Sequence, residues 1–170
     1  MSYTENKRFM KLYKYVLAVE GGYVNDPKDK GGATNHGIAF NYNQGILKNF
    51  GITAPSQMRQ LTTEQALEIY YRKYWLPSQS DELPDARLAL AYFDHVVNAG
   101  QGVADELLAK LDAKIWHIAG DGSNTNFWWG KTLEFMLHRL WWYTRIAQWK
   151  TYGLGWFNRL VKIAKALPDV

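Results

Sequence analysis

The stretch Glu20-Gly21-Gly22-Tyr23-Val24-Asn25-Asp26-Pro27-Lys28-Asp29-Lys30-Gly31-Gly32-Ala33-Thr34-Asn35-His36-Gly37-Ile38 divides two kinds of sequence. Before it, Phe9, Leu12, Tyr13, Val16 and Leu17 recur at helical spacing, so residues 5–19 read as an amphipathic helix. Within it, Asn, Asp, Pro and Gly are dense, which predicts turns and a small β-hairpin near 23–40. Gly21 and Gly22 are placed to supply the left-handed residue that closes a helix, which puts Glu20 at the helix C-terminus.

Outward from this stretch the chain reads as helical. Thr62-Thr63-Glu64-Gln65 has the form of a capping box opening a helix with Leu67, Ile69, Tyr70, Tyr74 and Trp75, stopped by Pro77. Pro84 suits the first turn of another helix, whose run from Leu88 to Phe93 is apolar almost all round and therefore central; it ends near Gly100. Val103, Leu107, Leu108, Leu111 and Ile115 mark a further helix, closed by Gly120-Asp121-Gly122. A long aromatic helix is expected from about Phe127 to Trp149. Tyr152-Gly153-Leu154-Gly155 is read as a break, and Trp156 to Leu167 as a last basic helix with Arg159, Lys162 and Lys165 on one side. The fold class is mainly α, a helical bundle with one small β-hairpin after the first helix. A lobe boundary is placed near residue 95, giving 1–94 and 95–170 packed as one compact unit.

Bulk composition narrows the function classes. At 170 residues, with 47% hydrophobic and 21% charged residues, the chain has the profile of one globular unit. Eight Trp and eleven Tyr supply flat apolar faces with polar tips, suited to a sugar-binding cleft and equally to a core. A net charge of +4 draws the protein to polyanions without choosing among nucleic acid, anionic lipid and envelope polymers. Cysteine is absent, so no disulfide framework or Cys-based metal site is available. The segment Met1–Lys11 lacks the apolar stretch of a signal peptide, and no apolar run approaches the roughly 18 residues of a membrane span. The expectation is synthesis in a cytoplasm with another protein providing the exit.

Chemistry converges on the quoted stretch. Cleaving a glycosidic bond needs a carboxylic acid that still holds its proton near neutral pH. Glu20 fits, because the negative end of the helix dipole and partial burial against aromatic faces both disfavour the ionised form. A second polar group must direct a water or stabilise the transition state from the other side of the sugar, and Asp29 and Thr34 are the candidates. Tyr23 and Asn25 in the loop, and Asp94 and Asn98 at i,i+4 on one helix, are candidate substrate contacts.

The run from Glu20 to Ile38 resembles the signature of the glycoside hydrolase family 108 N-acetylmuramidases, found in phage endolysins and in bacterial secretion activators. The likeness continues through Leu61-Thr62, Glu64-Gln65-Ala66, Tyr74-Trp75, Ala89, Tyr92-Phe93-Asp94, Val97-Asn98 and Gly100, and reaches Trp149, Thr151-Tyr152-Gly153 and Gly155-Trp156. It implies a lysozyme-like catalytic lobe over 1–94 with Glu20 as the catalytic residue. It also implies a C-terminal helical lobe over 95–170 resembling the family's peptidoglycan-binding region. Glu20, Asp29 and Thr34 are similar in order to the Glu, Asp and Thr of phage lysozymes. The partner so implied is bacterial peptidoglycan, reached through a holin or other export route by a monomer needing no cofactor.

Competing readings stay open. A lytic transglycosylase uses one acidic Glu and the substrate's own hydroxyl in place of water. A non-enzymatic wall-binding or secretion-assisting protein would not need the acid at all. Specific nucleic-acid binding is not expected, since the cations are spread over several helices without a recognised motif; the basic last helix is the candidate contact with an anionic envelope surface. His36 reads as a structural hairpin residue, and His95, His117 and His138 are too scattered for a metal site. The Trp128-Trp129 and Trp141-Trp142 pairs read as core.

Overall fold

The computed structural model describes residues 2–26, 30–111 and 124–170. Helix α1 (Lys7–Leu17) opens where the Asn6 side chain accepts the Phe9 amide, and it buries Phe9, Leu12 and Val16. Those three positions are the i, i+3, i+7 stripe of its sequence. The helix stops at Leu17 and tightens through Ala18 and Val19, with the Glu20 amide donating to the Leu17 carbonyl at 3.1 Å. No left-handed glycine closes it: Gly32, Gly37, Gly51 and Gly100 have positive φ among the described residues, Gly21 and Gly22 do not. Shortened turn hydrogen bonds satisfy the last carbonyls in place of a glycine cap.

Strands β1 (Thr34–Asn35) and β2 (Ile38–Ala39) form the predicted hairpin, paired Thr34 to Ala39 and Asn35 to Ile38. Its two turn residues both lie at positive φ, His36 at 50° and Gly37 at 74°, as a two-residue turn matching strand twist requires. Val24 adds an antiparallel bridge to Thr34, which draws the loop after Glu20 back along the hairpin. Helix α2 (Phe40–Leu47) follows directly, an element the sequence reading did not include.

Helix α3 (Thr63–Ile69) begins with the expected capping box, Thr62 accepting from the Gln65 amide while Gln65 accepts from the Thr62 amide. It widens into a π-helical turn, Tyr70–Trp75, before Pro77. Helix α4 (Ala86–Ala99) is the central element: every residue from Leu88 to Val96 is buried, and Gly100 ends it at φ 90°. It packs against α1 and, among the described residues, against the three later helices α5 (Gln101–Leu108), α6 (Thr125–Arg145) and α7 (Trp149–Ala166). The division at 94/95 falls inside α4, and a single apolar cluster extends from Phe9 to Leu167. Ile115, His117 and the Gly120-Asp121-Gly122 loop lie outside the described residues.

The C-terminal boundaries differ from expectation. The break falls at Ile146, whose backbone is extended, and α7 then runs through Tyr152-Gly153-Leu154-Gly155 without interruption. Gly153 serves packing there: a Cβ would lie 2.6 Å from the Trp149 ring. The fit of an indole one turn earlier on the same helix thus outweighs the roughly 1 kcal/mol preference against glycine inside a helix. Of the tryptophan pairs, Trp128 is buried and Trp141 is 47% exposed.

Candidate active site

Glu20 leaves the end of α1 and meets a residue 139 positions further along. Arg159 of α7 donates from Nη1 to Glu20 Oε1 at 2.6 Å. The same guanidinium donates from Nε and Nη2 to Asp94 Oδ1, at 3.0 and 2.7 Å. The other Asp94 oxygen accepts from Arg139 Nη2 at 2.6 Å, and Arg139 Nη1 reaches the Ala91 carbonyl at 3.0 Å. Two carboxyl groups and two guanidinium groups therefore alternate in one line, Glu20, Arg159, Asp94, Arg139, running from the site into the core. The Asp94 and Arg139 side chains are 0% exposed, Arg159 10% and Glu20 15%, so the line dries steadily inward.

Charges this deep persist only when paired and hydrogen-bonded. Burial alone would lower the Arg159 pKa, but the facing Asp94 and Glu20 carboxyl groups raise it above the usual guanidinium value. Burial likewise pushes Asp94 upward, and the two arginines overcome it, so Asp94 is held below the usual carboxylate range.

A second wall comes from the hairpin tip. Tyr70 donates its hydroxyl to the His36 carbonyl at 2.8 Å, fixing the turn against the π-helical segment. Burial, and then the negative charge of Glu20, push the Tyr70 hydroxyl well above its ordinary pKa; the same two causes raise Tyr74. Both phenols remain protonated, and the Tyr70 hydroxyl and the Glu20 carboxyl group lie against the same side of Gly37. Gly37 admits this arrangement, since a Cβ there would lie 2.5 Å from the Tyr70 hydroxyl oxygen and 2.7 Å from Glu20 Cδ. Gly37→Ala, with its positive φ as well, is expected to destabilise the fold by about 1–3 kcal/mol. Moving the carboxyl group by about 1 Å would slow turnover by roughly 10²-fold. Urea unfolding and catalytic rate measured on the same preparation check both figures; wild-type values in each would remove Gly37 from the site.

The remaining sequence candidates are distributed around this line. Asp94, read as a substrate contact, faces Arg159 and Arg139 with no exposed side-chain surface. It lies beneath the site because α4 is buried all round. Asn98, one turn further on, is partly exposed and accepts the Tyr143 hydroxyl at 2.6 Å; that hydroxyl also lies 3.3 Å from Arg139 Nη2. Thr34 is half-buried in β1, its hydroxyl donating to the Gly32 carbonyl at 3.2 Å. Tyr23 is half-buried under the Arg59 guanidinium, 3.9 Å above its ring, and Asn25 is exposed. Asp29 lies outside the described residues. His36 contributes a backbone carbonyl to the turn.

Arg159, Arg139, Tyr70 and Gly37 were not singled out from sequence. Arg159 was grouped with Lys162 and Lys165, yet it stands four and seven residues before Ile163 and Ala166, both buried. Arg139 likewise falls on the buried stripe of Trp128, Thr132, Phe135, Met136 and Tyr143. A cation on a core stripe signals a buried partner.

His95, beside Asp94 on α4, is boxed in by Phe135, Trp142 and Tyr143. Burial first, and the nearby Arg139 charge second, lower its pKa from 6.5 to about 2. The unfolded chain takes up this proton below about pH 6.5 while the native state does not. Stability is therefore complete above that pH and declines as pH falls, by up to about 1.4 kcal/mol per unit. Melting temperatures from pH 7 to pH 4.5 should show this slope, and His95→Phe should flatten it; equal slopes in the two proteins would assign acid sensitivity elsewhere.

A carboxyl group set at the end of the first helix, against a short hairpin and beneath helices of a mainly α, lysozyme-like fold, defines the class. The chain belongs to the glycosyl hydrolase 108 family, whose model matches residues 13–100, and is thus a glycoside hydrolase. Its structure is similar to that of Brucella abortus SagA, with a TM-score of 0.69 and 28% sequence identity over 95% of this chain and 94% of that one. No match was found among curated proteins.

Proposed function

We propose that the protein is an N-acetylmuramidase that hydrolyses the β-1,4 bond between N-acetylmuramic acid and N-acetylglucosamine in bacterial peptidoglycan, with Glu20 as general acid. The observation that carries this reading is the anchoring of Glu20: Oε1 is taken by Arg159, and Oε2 is the oxygen that faces Gly37. With Oε1 engaged, Oε2 is the oxygen assigned to deliver the proton. It passes to the bridging oxygen as the bond from the muramic acid C1 breaks, and the leaving sugar departs as an alcohol. Water then adds to C1 and gives up a proton, restoring the acid. Thr34, on the hairpin, and Asp29 are the residues assigned to direct that water; Tyr23 and Asn25 are assigned to the glycan.

Arg159 is a positioning residue in this scheme. Asp94, itself held by Arg139, anchors the Arg159 guanidinium from behind, so Arg159 of the C-terminal part of the chain, 95–170, positions the acid supplied by the N-terminal part. Action on the wall from a cytoplasmic start requires a holin or another export route.

Mass spectrometry of fragments released from purified sacculi tests the proposal. Reducing N-acetylmuramic acid ends are expected. Anhydro-muramic ends would replace the hydrolase with a transglycosylase, and intact glycan strands would leave a wall-binding protein.

A further inference from the structure

The outward face of α6 and α7 is apolar where a solvated pair of helices should be polar. On α6, Leu133, Leu137 and Trp141 stand at i, i+4, i+8 and are 42%, 66% and 47% exposed. On α7, Leu154 and Phe157 are 75% and 43% exposed, and Val161 and Ala164 continue their stripe. Between the two helices lies an open groove of about 300 Å³ lined by Leu133, Met136, Leu137, Leu160, Val161 and Ala164, all of them apolar. Cations terminate both stripes at the same spacing. Arg145 follows Trp141 by four residues, Lys150 precedes Leu154 by four, and Lys165 follows Val161 by four. Helix α7 carries no acidic residue. The one on α6, Glu134, is already paired with Lys131 at 2.7 Å and approached by His138 at 3.8 Å.

These features select among occupants. A glycan strand presents hydroxyl and amide groups that an apolar groove leaves without hydrogen-bond partners. The Trp141 ring, the obvious stacking platform, is already covered by Arg145 at 4.1 Å and Lys110 at 4.7 Å. A second copy joined through the same face would bring like charges together at Arg145, Lys150 and Lys165. An anionic bilayer meets both requirements: apolar side chains enter the boundary between headgroups and acyl chains while lysine and arginine reach the phosphates.

We propose that the outer face of α6 and α7 binds anionic phospholipid bilayers, with Leu137, Leu154, Phe157 and Val161 entering the acyl boundary and Arg145, Lys150 and Lys165 meeting the headgroups. Arg159 takes no part, being turned inward to Glu20 and Asp94. The membrane surface is therefore built on the opposite side of α7 from the residue that serves the acid, and binding is separable from catalysis.

Flotation of the full chain with vesicles tests this. Binding is expected to phosphatidylglycerol-phosphatidylcholine vesicles, weakening with salt, and not to phosphatidylcholine alone. The double variant Lys150→Gln/Lys165→Gln should reduce the partition coefficient by roughly 30-fold, and Leu137→Ser/Val161→Ser by about tenfold or more. Both should clear sacculi at the wild-type rate, which separates loss of this surface from loss of fold or of the hydrolytic site. The lysine pair is exposed and keeps the test available if the apolar pair fails to fold. The proposal is overturned by wild-type protein that stays unbound with anionic vesicles, or by lysine variants that bind undiminished. It is equally overturned if the apolar pair instead abolishes a dimer seen by sedimentation, or weakens sacculus binding while vesicle binding persists.

Discussion

Glu20→Gln is expected to slow cleavage of peptidoglycan by roughly 10²- to 10⁴-fold, the contribution of a positioned general acid. The substitution keeps the shape of the side chain and an oxygen able to accept from Arg159 Nη1, now 2.6 Å from Oε1. What it removes is the proton that the leaving sugar requires. Arg159 retains its two hydrogen bonds to Asp94 Oδ1, so the guanidinium is not left buried and unpaired. Thermal stability should accordingly stay close to wild type. Initial rates of sacculus clearance, taken with a melting curve for each protein, check the prediction; a variant retaining more than a tenth of the rate would remove Glu20 from the acid role.

Asp94→Ala should have the largest effect on stability. The Asp94 carboxyl group accepts from Arg159 on one oxygen and from Arg139 on the other, with none of its side chain exposed. Truncation leaves Arg159 with Glu20 alone and leaves Arg139, itself 0% exposed, without a carboxylate partner. Breaking a buried ion pair from one side costs about 3–5 kcal/mol, which for a chain of this size lowers the melting temperature by on the order of 10 °C. Asp94→Asn, which keeps the shape and one acceptor, should fall between. A melt of Asp94→Ala within a degree or two of wild type would show that the arginines are held by something other than this carboxylate.

The parts of the fold legible in sequence were those set by neighbours along the chain. The capping box at Thr62 and Gln65, the small hairpin within 23–40 and the all-round apolar run from Leu88 each act within a few residues, and each appears where expected. The end of α1 was misread because tightening turns and a left-handed glycine satisfy the same orphan carbonyls. Gly153 was misread because a glycine that fits an indole looks, in sequence, like a glycine that ends a helix.

The candidate site was legible only in part. Glu20 stood out from its own segment, but the group that holds it lies on the last helix. Helical periodicity does place Arg139 and Arg159 on buried faces; it cannot name their partner, because the closure of α4 between α1 and α7 is a property of the assembled core. The same closure turns Asp94 from a cleft-lining candidate into a buried anchor.

Counting the new reducing ends that appear in purified sacculi after incubation with wild-type protein and with Glu20→Gln, at equal concentrations of folded chain, tests the central assignment most directly. Wild type should generate them steadily, each terminating in N-acetylmuramic acid, while the variant should stay near the level of untreated walls. Matching yields from the two proteins would contradict the assignment.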